Sequence, residues 1–181
     1  MYTMWKKTAI IWAAILAFLS NANAGTEVYF SPNGMCEKKA VEMIDSTKTN
    51  FDLAMYSLNN TNIVGAIERA QKRGVKIRIL LDRTQAFVNR RITERLKDDG
   101  LNFRVHSHYR IQHNKFGIFD GKEVMTGSFN WTRPAQESNE ENCLFLSDKE
   151  IVQAYQDRFI NHLWKINTAD ESERRIKKSL R

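Results

Sequence analysis

Cysteine is scarce in this sequence, with Cys36 and Cys143 the two copies among 181 residues. Neither their spacing nor their neighbours suggest metal ligation. Histidine numbers four, at 106, 108, 113 and 162, and no two stand at the helical spacing of a zinc site. No carboxylate cluster joins them, so neither a metal nor another cofactor is expected. A long apolar run is missing too. A membrane-crossing helix needs about twenty apolar residues, whereas 8–19 offers twelve that are mostly apolar. No internal repeat is present. With 42% hydrophobic residues, the chain is long enough for one domain with a sizeable core and too short for two comfortable ones.

The first 24 residues read as a segment apart from that domain. Lys6 and Lys7 form a basic start, the apolar run follows, and Ala22-Asn23-Ala24 is a small-x-small cleavage site. A signal peptide over 1–24, removed after Ala24, is expected. The mature chain would then be periplasmic or secreted, with no stable membrane insertion. Without 1–24 the chain carries 26 basic and 21 acidic residues, a net +5. That excess favours a polyanionic partner, nucleic acid or an anionic membrane surface, without choosing between them. In an exported chain Cys36 and Cys143 can form a disulfide, and two buried thiols fit the sequence as well.

Apolar patterning divides the remainder into short elements. Strands are expected at 27–30, 51–56, 75–81, 101–106 and 140–146, and helices at 35–47, 61–73, 83–99 and 150–165. In the second helix Ile63, Val64, Ile67 and Ala70 give the helical period, and Gly74 supplies the stop. Strands and helices alternating in this way predict an α/β fold, a mixed β-sheet flanked by helices, in a single domain over 25–167. The stretch 132–139 reads as a polar turn. The residues 168–181 read as a basic C-terminal tail, frayed or disordered, with Arg174, Arg175, Lys177, Lys178 and Arg181 solvated.

The chemistry lies between His113 and Asn130, in HNKFGIFDGKEVMTGSFN. Asp120-Gly121 is a strong hairpin signal between two runs of strand-forming residues. With Gly121 and Lys122 as the loop, Lys115 falls opposite Ser128 and His113 opposite Asn130. Alternation then puts all four on one face, and Phe116 and Ile118 on the other as core. An imidazole, an ammonium, a hydroxyl and an amide converge, a set that suits a phosphate.

The pattern His-x-Lys, four residues, Asp, six residues, Gly-Ser-x-Asn resembles the signature of the phospholipase D superfamily. His113, Lys115, Asp120, Gly127, Ser128 and Asn130 each fall on a signature position. From roughly 26 to 164 the chain also resembles the superfamily's short, single-motif bacterial endonucleases. The resemblance implies a phospholipase D-like fold and a phosphodiesterase that works through a phosphohistidine. One motif per chain implies a homodimer with a shared active site, because one imidazole is poorly placed to be both nucleophile and acid. Lys115 and Asn130 would bind the non-bridging oxygens. Ser128 would add a donor or shape the turn. Asp120, at the mouth of the loop, is a site candidate with a mainly structural role. Glu141 best matches the downstream glutamate that fixes the tautomer of the catalytic histidine.

Around the motif, Trp131 and Arg133 are candidates to stack a base and contact a phosphate; a core tryptophan and a surface arginine fit them equally. His106 and His108 read as exposed or substrate-lining. Arg83, Arg90 and Arg91 read as solvated or as phosphate contacts. The leading expectation is a metal-independent, largely non-specific endonuclease cleaving DNA, with RNA not distinguished from it because phosphate chemistry needs no base readout. The alternatives are a lipid hydrolase of the same mechanism, acting on a phosphatidyl headgroup or cardiolipin, and an inactive nucleic-acid-binding dimer. A small basic chain without a long apolar loop puts the nuclease first.

Overall fold

A computed structural model describes residues 25–179 of the chain. The expected signal peptide, 1–24, lies outside the described residues. The first half runs β1 (Thr26–Ser31), α1 (Cys36–Ser46), β2 (Asn50–Met55), α2 (Thr61–Lys72), β3 (Lys76–Leu81), α3 (Arg83–Val88), α4 (Arg90–Asp98) and β4 (Phe103–Val105). The second half runs β5 (Lys115–Phe119), β6 (Glu123–Gly127), α5 (Arg133–Glu137), β7 (Glu141–Leu146), α6 (Lys149–Asp157) with wider π-helical turns over Arg158–Trp164, and α7 (Ala169–Ser179). No described helix is long and apolar enough to cross a membrane.

The strands form one mixed sheet in the order β1-β7-β6-β5-β2-β3-β4. β2, β3 and β4 run parallel, as the alternating strands and helices predict, and the remaining pairs are antiparallel. The centre of the sheet is buried on both faces, so β2 reads almost wholly apolar. Leu53, Ile79, Phe119, Met125 and Phe145 share one core with α1, α2 and α4. Ala54, Leu80, Phe116, Ile118 and Val124 share the other with Val152, Phe159 and Leu163. The exception in β2 is Asp52, fully buried and gripped by Arg78 at 2.6 and 2.7 Å and by Gln156 at 3.0 Å. A buried carboxylate is tolerated only when it is so paired.

Several helices start where side-chain acceptors stand ready, although α1 and α4 have no side-chain cap. Asn60, Asp82, Thr132 and Asp148 each accept first-turn N–H groups of the helix that follows. Four expectations need correction. The stretch expected as one helix over 83–99 breaks at Asn89, whose side chain is drawn to Ser57 and Asn59. The expected polar turn holds the short helix α5, which Thr132 caps. The hairpin loop is one residue longer than expected: Phe119 pairs with Glu123, and Asp120, Gly121 and Lys122 lie between. Asp120 and Gly121 both have positive φ, 53° and 63°, and the Lys122 N–H closes the turn on the Phe119 carbonyl. Finally, the described part of the expected tail, 168–179, is not frayed, since α7 packs against β4 and the Ser172 hydroxyl accepts the Val105 N–H at 2.7 Å, while 180 and 181 lie outside the described residues.

Cys36 and Cys143 are bonded, with Cα atoms 5.9 Å apart, so the disulfide joins the start of α1 to β7. It cross-links positions separated by 107 in sequence. Replacing both cysteines by alanine is expected to lower stability by about 4 kcal/mol. Urea denaturation of native and doubly substituted protein measures this, and coincident curves would show the bond to be idle.

Candidate active site

One end of the sheet gathers the motif. Lys115 opens β5 opposite Met55, the last residue of β2, and His113 lies just before it. β6 ends at Gly127, opposite Cys143, and Glu141 opens the neighbouring β7. The register of the hairpin would turn Ser128 away from the Lys115 face, because side chains alternate. Gly127 reverses this. Its φ of +140° is open to glycine, and a Cβ there would meet the Asn142 carbonyl oxygen at 2.4 Å. The chain swings instead toward β7, where the Ser128 hydroxyl donates to Glu141 Oε2 at 2.5 Å and accepts the Asn142 N–H at 3.0 Å.

From there the chain crosses the face of β5. Phe129 and Trp131 are buried, and Trp131 pairs with Leu58, beyond the end of β2. The indole lies flat on Phe51, centroids 6.0 Å apart, above Gly117. A Cβ at Gly117 would meet the Phe51 and Trp131 rings at 3.2 and 3.3 Å. Asn130, between the two buried aromatics, is half-buried, and its Oδ1 is enclosed without a hydrogen-bond partner.

His113 is exposed and Lys115 half-buried. Lys115 Nζ donates to the His113 carbonyl at 2.9 Å and lies 3.3 Å from both ring nitrogens. One ammonium cannot lie in line with both lone-pair directions, so this is a loose electrostatic contact. The Tyr56 ring packs at 4.5 Å from the imidazole, with Lys115 Nζ 5.1 Å from its centroid. Burial pushes the Lys115 pKa down, against the pull of the Glu141 carboxylate, which raises it. An exposed imidazole beside a partly desolvated cation, open to solvent, can take up a phosphodiester. Among the described residues no three His, Cys, Asp or Glu side chains gather as a metal ligand set.

The family model described as cardiolipin synthase, PLD-like domain, matches residues 40–164, which include every motif position. The chain belongs to the phospholipase D superfamily. A phospholipase D from Rickettsia felis is 36% identical over 135 residues, covering 73% of this chain and 66% of that protein. A mitochondrial cardiolipin hydrolase from Chlamydomonas reinhardtii is 30% identical over 124 residues, covering 68% and 55%. The chain therefore spans under two thirds of the length of these curated relatives. Among solved structures, the phospholipase D family member Nuc from Salmonella typhimurium superposes with a TM-score of 0.75 at 28% identity, over 81% of this chain and 97% of Nuc. NucT from Helicobacter pylori shares the fold, with a TM-score of 0.69 at 24% identity over 78% and 96%.

Not every position singled out around the superfamily motif joins the site. Asp120 lies at the far end of β5 from Lys115, and its carboxylate accepts the N–H groups of Lys48, Thr49 and Asn50 and the Thr49 hydroxyl. Trp131 is core and has no free face for a base. Arg133 is exposed and paired with Glu137. It lines a separate polar cleft of about 560 Å³ with Asn59, Asn62 and Arg91. Glu141 holds Ser128 and, at 3.1 Å, Asn139, and makes no hydrogen bond to His113 in the described chain. His106 is buried rather than exposed, its Nε2 accepting the Tyr109 N–H at 3.0 Å, while His108 is exposed beside Ser107. Tyr56 escaped the sequence reading. Its signal was its place one residue past the strand that pairs with Lys115.

Burial alone would push the Asp120 pKa up, but the Thr49, Lys48 and Asn50 contacts overcome this and hold it below the usual carboxylate range. A depressed folded value contributes stability above the unfolded carboxylate pKa, and the contribution is lost as pH falls through the folded one. Asp120→Asn should therefore cost about 1–3 kcal/mol at neutral pH. The gap to the native protein should close in acid, as read from urea midpoints across pH. A gap that stays constant to low pH would reject this account.

Proposed function

We propose that the mature chain is an exported, metal-independent phosphodiesterase, a largely non-specific endonuclease that cleaves DNA and does not exclude RNA. The observation that carries this reading is the exposed His113–Lys115 pair at an open sheet end, within an intact superfamily motif. In the proposed cycle His113 Nε2 attacks phosphorus, a P–N bond forms, and the P–O bond to the leaving strand breaks. His113 of a second protomer protonates the departing oxygen and then takes a proton from water, which displaces the histidine. Lys115 and Asn130 bear on the non-bridging oxygens as charge develops. Lys115 supplies the positive charge for which other phosphodiesterases use a metal ion.

The homodimer follows from the single motif. Phe87 and Val88 at the end of α3, with Tyr109 and Ile111 before His113, are exposed apolar side chains around this end of the sheet. A second protomer would cover such a rim. A lipid hydrolase remains the second reading, favoured by the names of the Rickettsia and Chlamydomonas relatives. Against it stands the resemblance to the short endonucleases, together with coverage of nearly all of Nuc.

Two measurements test the proposal. Purified mature protein should cut plasmid DNA in excess EDTA, with affinity falling as salt rises. Loss of cutting in EDTA and its return with magnesium would reject the mechanism, and hydrolysis of cardiolipin vesicles without any nucleic-acid cleavage would install the lipid reading. In co-refolded mixtures of native and His113→Asn chains, single-turnover cleavage should follow the square of the native fraction. A straight line would mean that each protomer works alone.

A further inference from the structure

The His113 ring is exposed and meets Tyr56 and Lys115, so its position depends on how its backbone and the Tyr56 ring are held. The segment between β4 and β5 contains no helix or strand, yet it carries the residue on which the proposed reaction turns. Two fully buried side chains hold it. Asp82 is 1% exposed, and its Oδ2 accepts the Gln112 N–H at 2.9 Å. Gln112 is 2% exposed, and its Oε1 accepts the Asn114 N–H at 2.6 Å. The Asn114 carbonyl in turn accepts the Tyr56 N–H at 2.9 Å. The backbone is thus fixed one residue before His113 and one residue after it.

A second arm leaves the same carboxylate. Asp82 Oδ1 accepts the Thr84 and Gln85 N–H groups at 2.9 and 3.1 Å, setting the first turn of α3. From that turn Gln85 Nε2 reaches the Tyr56 hydroxyl at 3.3 Å, and the Tyr56 ring packs on His113. Both arms converge on the imidazole and its backbone. Capping α3 does not by itself call for aspartate, because asparagine caps a helix about as well. What asparagine lacks is a second acceptor. A buried carboxylate without an ion pair is costly, and here that cost is incurred by a residue whose second oxygen holds the His113 segment.

We infer that Asp82 and Gln112 are positioning residues for His113, a brace that sets the imidazole at the angle needed to meet phosphorus. The inference rests on the reading of His113 as nucleophile. Misplacement of a reacting group by about 1 Å can cost about a hundredfold in rate. Asp82→Asn turns an acceptor into a donor facing the Gln112 N–H. Gln112→Met keeps the bulk and removes the acceptor for Asn114, and it leaves the cap of α3 intact.

The test is steady-state hydrolysis of bis(4-nitrophenyl) phosphate, a diester that reports the chemistry whatever the natural substrate. Native protein, His113→Asn, Asp82→Asn, Gln112→Met and the double variant are compared, each corrected for its folded fraction by circular dichroism. Both single variants should lose about ten- to a hundredfold in kcat with little change in KM. The double variant should lose no more than the worse single one, since the two groups act as one unit. A merely structural role would lower the folded fraction and leave kcat per folded molecule untouched. Should Asp82→Asn not fold, Gln112→Met decides: a native kcat overturns the brace. Hydrolysis that survives His113→Asn overturns the function proposed above, whatever the other variants do.

Discussion

The site depends on one crossing of the chain. Between Gly127 and Trp131 the backbone leaves β6, passes over β5 and pairs with Leu58 beyond β2. That path exists because residue 117 is glycine and lets the Trp131 indole lie against the sheet. Phe51 stacks on the indole and Phe119 on Phe51, so the crossing is sealed into the main core. The Asn59 and Asn60 N–H groups both donate to the Trp131 carbonyl at 3.0 Å, which locks the far end. Asn130 is carried along this path, between two side chains that cannot leave the core. The geometry of an open surface site is therefore inherited from close packing beneath it.

Much of this could be read from the sequence, and the reason is locality. The motif residues lie within one hairpin and its flanks, so spacing and alternation bring them near one another before any tertiary contact is known. The sheet with its helices followed from the apolar patterning in the same way. The hairpin register was read one residue short, because Asp120 joins Gly121 in the left-handed region and Lys122 drops out of the ladder. That slip would have reversed the Ser128 side chain, and Gly127 corrects it. No period in the sequence announces such a kink.

The residues that went unread are supplied from a distance. Tyr56, Asp82 and Gln112 come from the ends of β2 and β3 and from the loop before β5, and they meet only once the sheet has formed. Trp131 was open to two readings, core or base platform, since an aromatic beside a polar motif suits both. Helix α7 looked like a charged tail because its packing rests on the Ser172 hydroxyl and on Ile176 rather than on a long apolar stripe. Charge handling shows the same contrast. Asp52 is neutralised by Arg78, whereas Lys115 keeps its ammonium half in water and half against Tyr56. It is thereby both partly desolvated and reachable.

The hydroxyl of Ser172 has a consequence for the two margins of the sheet. At β4 the Val105 N–H, which would otherwise point outward as a docking point for a foreign strand, is occupied by that helix. At β1 no described strand covers the outer edge, and Val28 and Phe30 stand 52% and 64% exposed. Among the described residues, edge-to-edge association, the first step of ordered β-aggregation, is thus hindered on one flank and open on the other. Two copies meeting at β1 would extend the sheet once and present a β4 margin at each end.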